Sequence, residues 1–332
     1  MSPDEELEFR QFVFTDKEGF KETYKLCFDI DVSEEYLNWK YRDNPAGEVV
    51  AFAAFSGETM AAFYGVIPET YLVNGEPKRV YQSMDTMTHP NFQRRGLFGK
   101  LAKMTYDKIV EIEGELKLVG IPGTTSYPGF VKKLSWMDIH QFKYTFCQKH
   151  LFKAVGLFGR TAKIEFKPVT EMTDSLAEFL DNRKISDKPI QPSVSSAFFD
   201  WRVFKNTNKK FDVLEIIDNG KTVGVCVYTM PETDRCFINF LTFSDDKMFA
   251  DYTKTVVGHL FELTNSSFIY NWEAINPALH KALKKVGFIT NPLDSGMFSY
   301  RVPFIVRAEP DVVEGLNWYD VNNYDVQQLM QD

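Results

Sequence analysis

The stretch Val80–Glu113, VYQSMDTMTHPNFQRRGLFGKLAKMTYDKIVEIE, decides how the rest of the chain is read. Val80 to Thr88 alternates and is rich in β-branched and aromatic residues, which predicts a strand. His89-Pro90-Asn91 ends it, because proline has no N–H with which to continue a ladder. Leu97, Leu101, Met104, Ile109 and Ile112 then recur at helical spacing. The join is Gln93-Arg94-Arg95-Gly96-Leu97-Phe98-Gly99. A glycine there lets backbone N–H groups turn inward and approach a ligand closely. The first turn of a helix leaves unpaired N–H groups and a partial positive charge, which suits a phosphate. Arg94 and Arg95 add charge beside it. Asp85 is the one carboxylate on the strand.

Outward from this stretch, the totals narrow the class. The chain has 332 residues, comfortable for two domains, and 44% are hydrophobic, enough for packed cores. A net charge of −8 argues against a nucleic-acid polymer as partner, because phosphate neutralisation needs a basic face. No apolar run approaches the roughly 18 residues of a membrane span. The acidic start Met1-Ser2-Pro3-Asp4-Glu5-Glu6 does not read as a signal peptide. Cys27, Cys147, Cys226 and Cys236 form no C-x-x-C pair, so a reduced, cytoplasmic protein without disulfides or a metal is expected.

In chain order, Glu8–Phe14 reads as a strand, and a helix follows from Asp16 to about Phe28. Val49–Phe55 and Met60–Ile67 flank a turn at Ser56-Gly57-Glu58, and Asn74-Gly75 marks a hairpin feeding Val80. Leu116–Ile121 is a strand, Tyr127–Leu134 a short helix, and Trp136–Phe146 a strand again. The second half repeats this order. Phe199-Asp200-Trp201-Arg202 echoes Leu37-Asn38-Trp39-Lys40, Gly220 stands where Gly57 stood, and Pro231 where Pro68 stood. The offsets agree (201 − 39 = 162; 220 − 57 = 163; 231 − 68 = 163). NPALHKALKKVGF (276–288) answers TTSYPGFVKKLSW (124–136) at a shorter offset, 288 − 136 = 152. The second copy has thus lost about ten residues around the glycine turn. Its equivalent, Phe243-Ser244-Asp245-Asp246-Lys247, has no glycine and two carboxylates, and an acidic loop repels phosphate.

Pro90-x-x-Gln93-x-x-Gly96-x-Phe98-Gly99 after a strand resembles the pyrophosphate loop, Q/R-x-x-G-x-G/A, of the GNAT superfamily of acyl-CoA-dependent N-acyltransferases. Phe98 stands where a Gly or Ala is usual, with Gly99 one residue late. The resemblance covers about residues 5–306 and implies an α/β (α+β) fold of two tandem GNAT-like domains. Each is expected to be a mixed, mostly antiparallel twisted sheet flanked by helices. The expected divisions are 1–155, a domain with the loop; 156–306, a degenerate copy without it; and 307–332, an acidic tail.

The resemblance also implies roles for residues. Gln93, Arg94, Arg95, Gly96, Leu97, Phe98 and Gly99 would hold the diphosphate of acyl-CoA, and the backbones of Met87 and Thr88 would run along its pantetheine. Asp85 is the candidate base; its bland alternative is a hydrogen-bonded strand-edge aspartate. His89 reads more simply as a turn residue than as a proton relay. The superfamily's tyrosine acid falls at Val131 and is absent, leaving Tyr127, one helical turn earlier, as the candidate acid, with core packing the competing role. Trp39 and Tyr41 follow the first helices, a region that shapes the acceptor pocket in this superfamily; the recurrence of Trp39 as Trp201 also fits packing.

Trp39-Lys40-Tyr41, Asn44-Pro45-Ala46-Gly47, Gln82-Ser83-x-Asp85-Thr86 and Ser126-Tyr127-Pro128-Gly129-Phe130 resemble tandem bacterial GNAT proteins that acylate nucleotide-linked amino sugars. That implies small-molecule partners: a dTDP-linked 3-amino-3,6-dideoxyhexose, and acetyl- or 3-hydroxybutyryl-CoA. An aminoglycoside or other small-amine acetyltransferase and a non-catalytic acyl-CoA sensor stay open, as does a homodimer. An enzyme using aminoacyl-tRNA is disfavoured by the charge and the glycine loop.

Overall fold

A computed structural model of the chain describes residues 7–156, 162–184, 186–232, 234–290, 299–313 and 315–331. It divides into two units. The first comprises 1–71, 77–140 and 303–321, and the second 72–76, 141–302 and 322–332.

In the first unit β1 (Glu8–Gln11) precedes α1 (Lys17–Phe28) and α2 (Glu34–Tyr41). Ser33 caps α2, its Oγ accepting from the Tyr36 N–H at 3.1 Å, and Glu34 and Glu35 complement the helix dipole in the first turn. Then come β2 (Val50–Ser56), β3 (Thr59–Val73), β4 (Glu76–Thr88), α3 (Leu97–Glu113), β5 (Leu116–Gly120), α4 (Tyr127–Lys133) and β6 (Met137–Phe142). The hairpin expected at Asn74-Gly75 is present, both residues having positive φ, and its arms are longer than the apolar alternation indicated.

The second unit runs β7 (Tyr144–Gln148), α5 (Lys149–Gly156), β8 (Glu165–Val169), α6 (Asp174–Asn182), β9 (Ile190–Pro192) and α7 (Ser196–Phe199), the last leading into a π-turn at Asp200–Phe204. β10 (Asp212–Asp218), β11 (Lys221–Glu232), β12 (Arg235–Phe243), α8 (Met248–Thr264), β13 (Phe268–Trp272), α9 (Pro277–Lys285) and β14 (Ile289–Thr290) follow. β15 (Val302–Glu309) then returns to the first sheet.

The sheet orders are β1-β2-β3-β4-β5-β15-β6 and β14-β7-β13-β12-β11-β10-β8. Both are mostly antiparallel with helices against them, as expected. In each, the strand before the long helix pairs in parallel with the strand after it: β4 with β5, and β12 with β13.

Along the chain the units change over at 140/141, 302/303 and 321/322, with 72–76 also in the second. The run expected as one strand from Trp136 to Phe146 is two strands in different sheets, β6 and β7. Residues 302–309, placed in the second domain and the tail, pair along β5 from Ile305–Gly120 to Glu309–Leu116.

α3 lies on the first sheet through Leu97, Leu101, Ala102, Tyr106 and Ile109, packed with Ala54, Ala61, Tyr64, Leu118 and Trp136. Each large apolar side chain buried this way contributes about 1.5–3 kcal/mol. The buried stripe takes in Thr105 and Tyr106, whereas Ile112, expected on it, is exposed.

Candidate active site

The site is built where β4 leaves β5. The two strands pair at Tyr81–Leu118 and Gln82–Val119 and then part, so Ser83–Thr88 runs on past the last pair. Within that run Asp85 has φ 40°, a left-handed value for a non-glycine residue in mid-strand. Such a residue bends its strand and re-aims its side chain. The Asp85 carboxylate is one-tenth exposed and is met by two donors from α2. Lys40 Nζ lies 2.7 Å from Oδ2, and the Tyr41 hydroxyl donates to the same oxygen. Lys40, itself buried, also donates to the Tyr36 hydroxyl at 2.9 Å and sits over the Tyr36 ring. The charge of Asp85 is therefore matched by a cation that its own surroundings shield from water.

Beyond β4 the chain is pinned at two buried points, Phe92 and Leu97, with Gln93–Gly96 exposed between them. His89 Nδ1 accepts from the Asn91 N–H at 3.1 Å, which makes it a turn residue. Arg94 (φ 65°) and Gly96 (φ 75°) are both left-handed, and Gly96 is the residue from which α3 springs. No side chain caps that helix start, and a Cβ built on Gly96 or Gly99 would meet nothing within 4 Å. Gly96 and Gly99 thus border open space beside two arginines, and Arg95 stacks over Phe92 at 5.0 Å. Among the described residues no carboxylate pairs with either arginine. This arrangement fits a diphosphate: unpaired donors, positive charge and no side chain in the way.

Phe98, the departure from the usual loop pattern, has a structural counterpart. Its ring stands edge-on to Phe130 at 5.3 Å and beside Tyr64 at 5.8 Å. On α4, a Cβ at Gly129 would lie 2.9 Å from Phe98 Cε1, so the glycine makes room for the ring. Beneath it lies a buried polar cluster that the sequence reading did not anticipate. Ser83 Oγ is 3.1 Å from the Tyr64 hydroxyl, which is 3.0 Å from that of Tyr106, and Trp136 Nε1 donates to Tyr106 at 2.8 Å. Burial pushes both tyrosines up, Tyr106 to about 12.

The other expected residues fall as follows. Met87 is buried; the Thr88 carbonyl accepts from Cys27 Sγ at 3.4 Å, and burial raises the Cys27 pKa. Tyr127 donates to Asp138 Oδ2 at 2.6 Å. Trp39 is buried with its ring 5.9 Å from Tyr36, and Tyr41 is fully buried. Lys40 and Tyr36, which complete the surroundings of Asp85, were missed; their i, i+4 spacing on α2 was the available signal.

The corresponding place in the second unit has other chemistry. β12 bulges at Asn239, two residues past its last pair with β13, between Ile238 and Phe240, which pair with β11. At the start of α8 the N–H groups of Met248 and Phe249 are taken by Asp245 and Asp246 carbonyls, and that of Lys247 by Asp245 Oδ1. Asp246 and Asp325 both accept from Asn276 Nδ2, at 3.2 and 3.0 Å, and desolvation raises both acids. Among the described residues no group of His, Cys, Asp and Glu could hold a metal, and no helix is long and apolar enough to cross a membrane.

Residues 8–137 match the family described as acetyltransferase (GNAT) domain. No curated protein matches the chain. Solved structures with this fold include a protein of unknown function from Enterococcus faecalis, described as a probable N-acyltransferase. It is 10% identical with a TM-score of 0.69, over 91% of this chain and 72% of that one. A GCN5-related N-acetyltransferase from Anabaena variabilis is 11% identical with a TM-score of 0.66, over 91% and 72%. A tandem GNAT protein from the clavulanic acid biosynthesis pathway is 12% identical with a TM-score of 0.56, over 91% and 98%. At such identities the likeness is one of fold, and the fold is that of tandem GNAT-like domains.

Proposed function

From the acetyltransferase (GNAT) domain over residues 8–137, we infer an acyl-CoA-dependent N-acyltransferase. It moves a short acyl group, acetyl or 3-hydroxybutyryl, to a small-molecule amine by direct attack in a ternary complex. One observation carries this reading: an uncapped helix start with open space over Gly96 and Gly99, next to a strand that has parted from its neighbour. Gln93–Gly99 holds the diphosphate through backbone N–H groups, with Arg94 and Arg95 supplying charge. The Met87–Thr88 backbone lies along the pantetheine. Bound acyl-CoA supplies an activated thioester whose thiol, of pKa about 8.5, leaves readily.

Asp85 accepts a hydrogen from the attacking amine. Its Oδ2 is held by Lys40 and Tyr41, so the approach is to Oδ1. Trp39 and Tyr41, both buried, shape the acceptor side from behind rather than by touching the acceptor. Tyr127, the candidate acid, must release Asp138 before it can donate to the thiolate.

The acceptor we propose is a nucleotide-linked amino sugar, dTDP-3-amino-3,6-dideoxyhexose. Its support is the likeness of Trp39–Gly47, Gln82–Thr86 and Ser126–Phe130 to sugar-nucleotide acylating enzymes. The chemistry agrees: a sugar amine is less basic than lysine, so more of it is neutral at pH 7 and a paired carboxylate suffices as base. A thiol-release assay with acetyl- and 3-hydroxybutyryl-CoA tests this against dTDP-amino sugars and aminoglycosides. Turnover with the sugar nucleotide at least tenfold above the aminoglycosides is expected. Aminoglycoside preference would reassign the acceptor, and coenzyme binding without turnover on any amine would make the chain a sensor.

A further inference from the structure

The second unit has its own cleft, and the chain itself sits in it. β12 pairs with β13 from Arg235–Phe268 to Phe237–Tyr270 and then parts from it, as β4 does from β5. Asn271 Nδ2 donates to the Ile238 carbonyl at 2.8 Å just past the split. Further along, the Gln327 side chain bonds Leu241 twice: its Oε1 accepts from the Leu241 N–H at 3.0 Å, and its Nε2 donates to the Leu241 carbonyl at 3.2 Å. A carboxamide that meets both backbone groups of one strand residue does what a neighbouring strand, or an amide-bearing ligand, would do.

The rest of segment 322–331 is fixed to match. Tyr324 bridges Ile190, and the Asp325 N–H donates to the Ile190 carbonyl at 3.0 Å. Tyr324, Val326, Leu329 and Met330 are buried. Tyr36, Trp39 and Lys40 recur at the repeat's offset as Phe198, Trp201 and Arg202, with Phe198 and Trp201 in ring contact as Tyr36 and Trp39 are. Lys40 reaches the carboxylate on β4, whereas Arg202, also buried, donates from Nε to the Leu329 carbonyl at 3.1 Å. What is left of the cleft is a cavity of ≈ 50 Å³ among Arg183, Thr242, Asp246, Asn276, Asp325 and Gln327. That is room for a few waters, against the several hundred Å³ of a ligand site.

We propose that segment 322–331 is a resident occupant of the second unit's cleft. It stands in for the amide-bearing arm of a carrier and limits the chain to one carrier. The comparison with a carrier arm rests on the function proposed above; the occupancy of the Leu241 edge does not. Hydrogen exchange of the intact chain tests it. The Leu241 amide is expected to exchange at least about 100-fold more slowly than an unprotected one. Gln327→Leu should remove at least tenfold of that protection and leave Gln82 in the first unit unchanged. Unaltered protection in the folded variant would overturn the proposal.

If the variant does not fold, titration of the unaltered chain with S-acetylpantetheine decides. This probe lacks the diphosphate that the acidic loop would repel. One equivalent, displaced by coenzyme A, is expected; a second that coenzyme A does not displace would overturn the proposal. Protection of Leu241 with no binding of coenzyme A at all would instead count against the function assigned to the first unit.

Discussion

Asp85 combines a left-handed φ, a buried lysine at 2.7 Å and a tyrosine donor, and each of these sets a consequence that can be measured. Asp85→Asn keeps size and polarity but removes the base. It should lower kcat by about 10²–10⁴-fold, with coenzyme affinity within about twofold, as checked by steady-state kinetics and calorimetry. An unaltered rate would remove Asp85 from the mechanism. Lys40→Met leaves a shielded carboxylate without its cation and should destabilise the fold by about 3–5 kcal/mol, read from urea unfolding. Tyr127→Phe should change kcat less than about threefold and cost about 1 kcal/mol of stability, because its hydroxyl is committed to Asp138. A loss of 100-fold would make it the acid. Asp85 was visible in the sequence as the lone carboxylate of its strand. Its partners were not, because nothing in the pattern of α2 says which strand Lys40 faces.

Among the elements, the strand–turn–helix from Val80 to Glu113 was legible for local reasons: alternation, a proline stop, a glycine and helical spacing. The hairpin at Asn74-Gly75 was legible for the same kind of reason. Trp136–Phe146 was not, since alternation continues through Lys143 while β6 and β7 pair in different sheets. A period of two records which residues share a face and is blind to which sheet receives them. Residues from Arg307 were read as tail because of their acidity, although the apolar run Val302–Val306 before them was a strand signal. Phe98 looked like a defect in the loop until α4 showed Gly129 beneath it. That pairing predicts coupling. Gly129→Ala should cost about 1–3 kcal/mol by crowding the ring, and Phe98→Leu in the same chain should recover most of it, as read from a double-mutant cycle. Additive losses would show that the two do not share the space.

At the scale of the whole molecule, the sequence repeat corresponds to two units with the same strand–helix–strand arrangement and different chemistry. The first has a bare helix start and a carboxylate at a left-handed residue of its strand. The second has acids at the helix start, an amide on the bulge and a filled cleft. The loss of the loop in the second copy could be read from the missing glycine, but not that a segment nearly ninety residues further on would bond Leu241. Burial raises the Asp246 pKa, so the folded chain binds that proton more tightly than the unfolded one. Asp246→Asn should therefore raise Tm at pH 7, and the gain should vanish below about pH 4, where the acid is protonated in both states.

On this reading one cradle, at Gly96, holds one carrier. Calorimetric titration with acetyl-CoA tests it most directly, using the unaltered chain, Gly96→Glu, and Gly96→Ala as a control for the strain of a side chain at φ 75°. Expected are one equivalent for the unaltered chain, one for Gly96→Ala, and no measurable binding for Gly96→Glu in a chain that still unfolds cooperatively. Two equivalents, or undiminished binding by folded Gly96→Glu, would contradict it.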